Sequence, residues 1–150
     1  MGDIVIHGPS GVEKRKETAK ERTDRQAFQN AGPVNVQVNL ERDRRILAGK
    51  DFTVTGYALP IAVSGDKTTQ MNLLALATAA NMRIASGDTT TITKYRDEKN
   101  AIHDLTPPQI AELWSLGAAF VSAVYQASWA LKDNPGGIPA DFKDNTHWPA

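Results

Sequence analysis

Ser64 and Lys67 have the S-x-x-K spacing found in serine acyl-transfer enzymes. Enzymes of that class also carry S-D-N and K-T-G sequences, and this chain contains neither. Ser64 comes directly before a helical pattern, where a serine hydroxyl commonly accepts a hydrogen bond from a backbone N–H of the first turn. We therefore interpret Ser64 as a helix-opening residue and keep a small hydrolase that uses Ser64 as an alternative.

Asp141, Asp144 and His147 are spaced by three residues and would meet around a metal ion if the segment were helical. Pro139 and Pro149 flank the segment and favour irregular backbone instead. A metal site also needs ligands held in a defined geometry. No metal ligand is therefore assigned, and His147 remains an alternative catalytic residue for a hydrolase.

The other two histidines have less informative surroundings. His103 stands beside Asp104 on a predicted strand with no nucleophile nearby in sequence, so we expect it at the surface or at a strand edge. His7 precedes the loop 8–11, which together with Lys14 misses the spacing of the phosphate-binding pattern G-x-x-x-x-G-K-[ST]. The sequence thus predicts no catalytic residue, no metal ligand and no cofactor.

Aromatic side chains are the remaining candidates for recognition. Trp114 and Trp129 are fifteen residues apart on one predicted helix, about four turns, so they lie on nearly the same side. Core packing is the simpler role for them, with a carbohydrate platform as the alternative. Trp148, Tyr57 and Tyr95 are the residues that a receptor- or glycan-binding module would expose.

The longest helical pattern, residues 106–132, carries Trp114 and Trp129. Thr106 is a predicted N-cap, Gln109 completes a capping box and Pro107 suits the first helical position. Prolines and glycines follow Lys132 and end the pattern. About 26 residues at 1.5 Å each span roughly 39 Å, so we expect this helix to form the spine of the fold.

Shorter elements surround the spine helix. The pattern predicts one hairpin from 52–57 and 61–63, a helix over 66–85, a second hairpin from 90–95 and 101–105, and an irregular tail over 133–150. Apolar residues run most of the way round the 66–85 helix, which indicates packing on two sides. Phe142 and Trp148 could attach the tail to the domain. The predicted fold is α+β: a small antiparallel sheet of two hairpins covered by two helices.

The N-terminal 40 residues differ in character. Residues 1–11 predict an extended tail whose segment 4–6 could add as an edge strand to a partner, and residues 12–30 predict a polar helix. Residues 34–40 alternate strictly between apolar and polar, which predicts a half-buried strand. We therefore expect an N-terminal arm over 1–40 and a core domain over 41–150.

Composition excludes several classes of protein. Lysine plus arginine and aspartate plus glutamate number 17 each, so the basic excess typical of nucleic-acid binding is missing. There is no cysteine, which excludes disulfides and thiolate catalysis. No run of 18 apolar residues exists, and the N-terminus lacks signal-peptide features. These features predict a product that stays inside a cell or is assembled there, with no membrane span.

Several short motifs between residues 44 and 132 resemble a known family. They are Arg44-Arg45, the strands from Phe52 to Val63, Asp66-x-x-Thr69-Gln70, Tyr95-Arg96-Asp97 before Asn100, Leu105-Thr106-x-x-Gln109-Ile-x-x-Leu113 and Ala127-x-Trp129-x-Leu-Lys132. In this order they resemble a domain of unknown function found in tail and tail-fibre proteins of tailed bacteriophages. The resemblance covers roughly 90 residues, leaves residues 1–40 outside, and carries over no catalytic residue.

The resemblance implies a structural or assembly component of a tailed bacteriophage or phage-like particle, without enzymatic activity. Its partners would be other virion or tail subunits, with the protein present as a homo-oligomer in a symmetric particle. It would reside in the virion after assembly in the host cytoplasm. The arm would dock to neighbouring subunits, because a strand signal in a segment with little core of its own suits strand addition.

Overall fold

The computed structural model describes the backbone of residues 3–8, 11–30 and 32–150 and the side chains of residues 15–27 and 32–150. Contacts divide the chain into two compact units, Met1–Pro33 and Val34–Ala150. The elements are β1 Asp3–Gly8, β2 Gly11–Lys16, α1 Ala19–Asn30, α2 Asn35–Ala48, β3 Lys50–Phe52, β4 Ile61–Val63, α3 Lys67–Ala85, β5 Thr93–Arg96, β6 Ile102–Leu105, α4 Pro107–Lys132 and a 3₁₀ turn at Asn145–His147. The predicted α+β class is confirmed.

The spine helix is confirmed as α4, the longest helix of the second unit. Gln109 Oε1 accepts the backbone N–H of Thr106 at 2.9 Å, as the capping-box pattern requires. The helix predicted over 66–85 is α3, and the carboxylate of Asp66 caps it by accepting the N–H groups of Thr68 and Thr69. Both helices therefore begin where local side-chain chemistry fixes the first turn.

Both predicted hairpins form, each as a separate two-stranded antiparallel sheet. The first strand of the first hairpin is β3, Lys50–Phe52, rather than 52–57. Thr55 explains the early end of this strand, since its N–H and hydroxyl bond to Glu112 while its carbonyl accepts Gln109 Nε2. With those groups bonded to α4, no partner strand can use them.

Two clusters of buried side chains make the core of the second unit. The larger joins both hairpins, α3 and the first half of α4, and contains Phe52, Val54, Ile61, Val63, Leu73, Ala77, Ala80, Tyr95, Leu105, Ile110 and Leu113. The smaller joins α2, the second half of α4 and the tail. Phe142 and Trp148 are 4% and 5% exposed, and Trp148 Nε1 donates to the Phe142 carbonyl at 2.6 Å. The predicted attachment of the tail is confirmed.

The strand predicted at 34–40 is wrong, because these residues open helix α2. Val38 is fully buried against the second half of α4, whereas Val36 and Leu40 are 59% and 65% exposed. Seven residues are too few to separate a period of two from one turn of a longer helix, and residues 41–48 are good helix formers. The predicted arm boundary at residue 40 falls inside this helix, whereas contacts place the unit boundary before Val34.

The helix predicted over 12–30 is shorter than expected. Residues 11–16 form β2, which pairs antiparallel with β1 of the same chain. The segment 4–6 is therefore extended, as predicted, but its partner strand is β2 and not a strand of another protein. Helix α1 begins after Thr18, whose hydroxyl accepts the N–H of Glu21 while Glu21 Oε2 accepts the N–H of Thr18. This Thr-x-x-Glu capping box marks the helix start, and the charge pattern alone does not show it.

Candidate functional site

Ser64 lies in a hydrogen-bonded group at the start of α3. Its Oγ is 2.5 Å from Asp66 Oδ2 and 2.8 Å from Glu98 Oε1, while Lys67 stands exposed in the first turn of α3. The hydrogen bonds from Ser64 and Thr69 hold the pKa of Asp66 well below its ordinary value. A carboxylate stabilised in this way is a poor proton acceptor, so the group can fix the helix start but activates Ser64 weakly.

Asp141 and His147 also come together, with His147 Nε2 at 3.0 Å from Asp141 Oδ1. Asp144 joins them through the backbone, since its N–H bonds to the Asp141 carbonyl and its carbonyl accepts the N–H of His147. The pair is surface-exposed and closes a turn. In the part of the chain that the structure describes, no three potential metal ligands converge here or elsewhere.

His103 is buried at 2% exposure, so the expectation of a surface position is wrong, whereas β6 is an edge strand because its sheet has two strands. On β6 the apolar Ile102 faces solvent, and His103 and Leu105 face the core. His103 Nδ1 lies 3.0 Å from the Tyr57 hydroxyl, and Nε2 lies 3.0 Å from Asp97 Oδ2. We call Tyr57, His103 and Asp97 the Asp97 cluster.

Asp97 is the anchor of this cluster. Its carboxylate accepts the N–H groups of Ala62, Lys99 and Ala101 at 3.3, 2.9 and 2.8 Å, besides the imidazole of His103. Burial, the largest single influence, raises the pKa of Asp97, but the hydrogen bond from His103 and those from the backbone together lower it below its ordinary value. Asp97 is therefore held ionised and fully hydrogen-bonded.

The order tyrosine, histidine, aspartate resembles a nucleophile, a base and an orienting carboxylate. A neutral imidazole that donates Nε2–H to Asp97 accepts a hydrogen bond from the Tyr57 hydroxyl at Nδ1. His103 and Asp97 are shielded from solvent, and Tyr57 is partly exposed. The geometry serves to tie the 53–60 loop to β6 and to the turn that follows β5. Spacing in sequence could not reveal it, since Tyr57 lies 46 residues before His103.

The aromatic residues expected at the surface are mostly buried. Trp148 and Tyr95 are 5% and 8% exposed, and burial raises the pKa of Tyr95 to about 12. Tyr57 is half-buried beside His103. Those three residues therefore form no exposed aromatic platform, because Trp148 and Tyr95 are buried in the core.

Trp114 and Trp129 have different environments, although they share a side of α4. Trp114 packs against the larger core cluster, whereas Trp129 is 53% exposed. The Trp129 ring lies 6.1 Å from that of Tyr125, and the guanidinium of Arg42 stands 4.8 Å from the Tyr125 centroid. The exposed aromatic pair is therefore Tyr125 and Trp129, next to a cation.

A cavity of about 310 Å³ opens between β3–β4, α3 and α4, with the end of α2 at its rim. Its apolar lining includes Phe52, Leu73, Trp114, Phe120 and Val121. Volumes of this size suit a small apolar ligand or one large side chain.

The side of α3 that points away from α4 is apolar and exposed. We call it the outer face of α3 and define it by Met71, Leu74, Ala75, Thr78, Ala79, Met82 and Ala85. Met71 and Met82 are each 72% exposed and Leu74 is 47% exposed, while Leu73, Ala77 and Ala80 on the opposite side are buried. The sequence predicted that α3 packs on two sides. Within the second unit it packs on one side only.

The first unit presents charge instead. Residues 15–27, whose side chains are described, are all at least partly exposed as whole residues, although the side chain of Glu17 is only 6% exposed. Arg15 pairs with Glu21 through two hydrogen bonds, and Arg25 pairs with Glu17 at 2.8 Å. The bond from Arg15, with those from Thr18, lowers the pKa of Glu21 far below its ordinary value. The side chain of His7 and residues 9 and 10 lie outside the described residues.

Comparison with known proteins places the domain in a family. The family model described as "Domain of unknown function (DUF4376)" matches residues 29–146, and the chain belongs to this family. The matched range contains all of the motifs that carried the resemblance and, apart from residues 29–33, lies within the second unit. No curated protein and no solved structure matches the chain. Within the described residues, no helix combines the length and the apolar content that a membrane span requires.

Proposed function

We propose that this protein is a non-enzymatic structural or assembly component of a tailed bacteriophage or phage-like particle, in the tail or tail-fibre region. The second unit would be the family domain, and the first unit, residues 1–33, would dock to neighbouring virion subunits. The phage assignment is supported by the motif resemblance, whose residues all fall inside the family match. The docking role rests on the division of the chain.

The observation that carries this proposal is the contrast between a family domain with two core clusters and an appended unit with a polar, exposed helix. Helix α1 buries none of its described side chains up to Ala27. A helix so polar gains little by burial in its own chain. Its ordered ion pairs instead give a preformed charged surface that a complementary neighbour can recognise.

Contacts within the second unit agree with a structural role. Ser64 and Asp66 fix the start of α3, the Asp97 cluster joins loop and hairpin, and the Asp141–His147 pair closes a turn. In each case the serine or histidine that could carry chemistry is hydrogen-bonded to a neighbouring carboxylate. The hydrolase alternative with Ser64 or His147 stays a prediction that an activity screen of Ser64→Ala and His147→Ala variants would address.

Incorporation into particles tests the proposal. We would express the tagged chain, and a variant that begins at Val34, in cells producing the particle, purify particles on a density gradient and quantify the tag by immunoblot. We expect the full chain in the particle fraction and the shortened chain outside it. Circular dichroism of the shortened chain should show that the second unit is still folded. Incorporation of both forms, or of neither, would contradict arm-mediated docking.

Charge reversal refines this experiment without removing residues. Lys20→Glu with Arg22→Glu changes two exposed cations of α1 and should reduce incorporation at least several-fold. Lys67→Glu with Lys143→Glu reverses two exposed cations of the second unit. That matched pair should incorporate normally. Equal loss in both variants would point to net charge rather than to the first unit.

A receptor- or glycan-binding module at a fibre tip is the second candidate, and the exposed Tyr125–Trp129 pair favours it. Aromatic faces with an adjacent cation suit the stacking of a sugar ring. Titration with oligosaccharides would quench or shift Trp fluorescence in the natural chain and not in Trp129→Ala. A flat titration in both proteins would remove this candidate.

A further inference from the structure

The outer face of α3 lacks the charges that normally cover an exposed helix. From Thr68 to Met82, fifteen consecutive residues contain no Asp, Glu, Lys or Arg. Exposed helix faces in soluble proteins usually carry interspersed charges, and a helix that is apolar all round is covered on both sides. Within the second unit, α4 and the hairpins cover only the side of Leu73, Ala77 and Ala80.

The spacing on this face favours a copy of itself as the covering partner. Met71, Ala75, Thr78 and Met82 follow steps of four, three and four residues, which read the same from either end. An antiparallel copy would bring Met71 opposite the partner's Met82 and Ala75 opposite the partner's Thr78. A two-fold interface places the same patch on both chains, so a stripe with this symmetric order can align with an antiparallel copy in a single register.

Side-chain size and charge fit the same arrangement. The centre of the stripe is small, with Ala75, Thr78 and Ala79, which lets two helix axes approach to about 8 Å. Near a two-fold axis each residue meets a copy of its neighbours, so any charge there would face its own sign. The face carries none, and a partner selected by charge would have nothing to recognise.

A depression of about 490 Å³ lies beside the stripe, lined by Asn72, Ala75, Leu76, Lys94, Tyr95 and Arg96. In the antiparallel arrangement the partner's Met82 lies next to Met71 and Ala75, at the rim of this depression. Methionine is flexible and unbranched, so it can fill an irregular hollow of this kind. By two-fold symmetry, Met82 of the first chain would fill the depression of the second chain in the same way.

We propose that the outer face of α3 is a homodimer interface, formed by antiparallel packing of α3 against α3 of a second copy. This interface is independent of the virion role and of the first unit. One helix pair buries less than the roughly 1,600 Å² of a standard interface, so we expect dissociation in the micromolar range.

Sedimentation velocity of the full chain from about 1 to 500 µM tests dimerisation in that range. We expect a concentration-dependent monomer–dimer equilibrium. Ala75→Glu places a like charge at the centre of both helices and should leave a monomer throughout. Ala119→Glu is the control, because Ala119 is an exposed alanine of α4, and it should dimerise as the natural chain does. A natural chain that is monomeric throughout, or an Ala75→Glu chain that still dimerises, overturns the proposal.

The absence of cysteine allows the register to be tested separately. Met71→Cys combined with Met82→Cys should give an intermolecular disulfide under mild oxidation, because the antiparallel register places the two positions opposite each other. Met71→Cys alone should not, since the two copies of that position would be about 16 Å apart along the axis. Efficient cross-linking of the single variant, or none in the double variant, would refute the antiparallel register even if a dimer forms. Circular dichroism would check that each variant retains its helices.

Discussion

Glu21 of the first unit and Asp97 of the second unit are carboxylates in opposite environments. In the first unit Glu21 pairs with Arg15 on an exposed surface, where water screens the interaction. In the second unit Asp97 and Glu41 are 7% and 6% exposed and are surrounded by donors. Removing a carboxylate therefore has consequences that depend on burial, because buried donors left without an acceptor keep the desolvation cost. The strength of pairing on its own does not predict stability.

Asp97→Ala should give the largest effect. It leaves three backbone N–H groups and His103 Nε2–H without their acceptor inside the second unit. We expect the free energy of unfolding to fall by about 3–5 kcal/mol, measured by urea unfolding with Trp fluorescence. Asp104→Ala is the control, since Asp104 is exposed on the neighbouring strand, and should stay within about 0.5 kcal/mol of the natural chain. Equal losses would show that burial does not decide the outcome.

Glu41→Gln should have an intermediate effect. The carboxylate bonds to Arg44 and Arg45, and Arg45 in turn donates to the Lys143 carbonyl at 2.7 Å. The amide keeps the shape and loses the charge, and Arg44 is largely exposed. We therefore expect a loss of about 1–2 kcal/mol in the same unfolding experiment. A loss as large as that of Asp97→Ala would mean that α2 depends on this ion pair more than its partial exposure implies.

The stability of the second unit should depend on pH because of Asp97. The folded-state pKa of Asp97 is lowered, so its ionisation stabilises the fold. That stabilisation is present above the unfolded pKa, near 3.9, and is lost as pH falls through the folded-state pKa. Thermal unfolding of the second unit between about pH 5 and 2 should therefore show a decline that is shallower in Asp97→Asn. Parallel curves would exclude Asp97 as a main contributor.

Glu21→Gln should have the smallest effect. The fold of the second unit should unfold at the same temperature, because the exposed Arg15–Glu21 pair belongs to the other unit. Helix α1 should lose some helicity at its first turn, visible in backbone chemical shifts of residues 19–22 at low salt. About 0.5 M salt should remove most of that difference. A persistent difference at high salt would contradict an effect of charge alone, because glutamine keeps the oxygen that caps the turn.

The starts of α3 and α4 were the predictable part of this fold, whereas the start of α1 was predicted too early despite its capping box. Thr106 with Gln109, and Asp66 with the amides that follow it, mark the starts of α4 and α3 in the sequence itself. Residues 34–40 were not predictable in the same way. Their alternation is compatible with a strand, but the helix formers at 41–48 and the contact of Val38 with residues of α4 and the tail select a helix.

The Asp97 cluster was beyond sequence reasoning for a different reason. His103 sits between two residues of opposite polarity, and β6 points the apolar Ile102 outward. A pattern of hydrophobicity assigns such a strand the wrong face. The contacts that determine its face, with Tyr57 and Asp97, exist only after the hairpin and the 53–60 loop have met.

The attachment of α2 to the tail has a consequence for the order of folding during synthesis. Val38 belongs to the same core cluster as Phe142 and Trp148, and Arg45 donates to the carbonyl of Lys143. About 100 residues separate these partners, and a ribosome makes roughly 5–20 residues per second. For some 5–20 s on the ribosome, α2 would therefore carry its buried face without a complete partner. In that interval we expect a chaperone to bind α2. Once the tail is synthesised and packs against α2, the chaperone would dissociate.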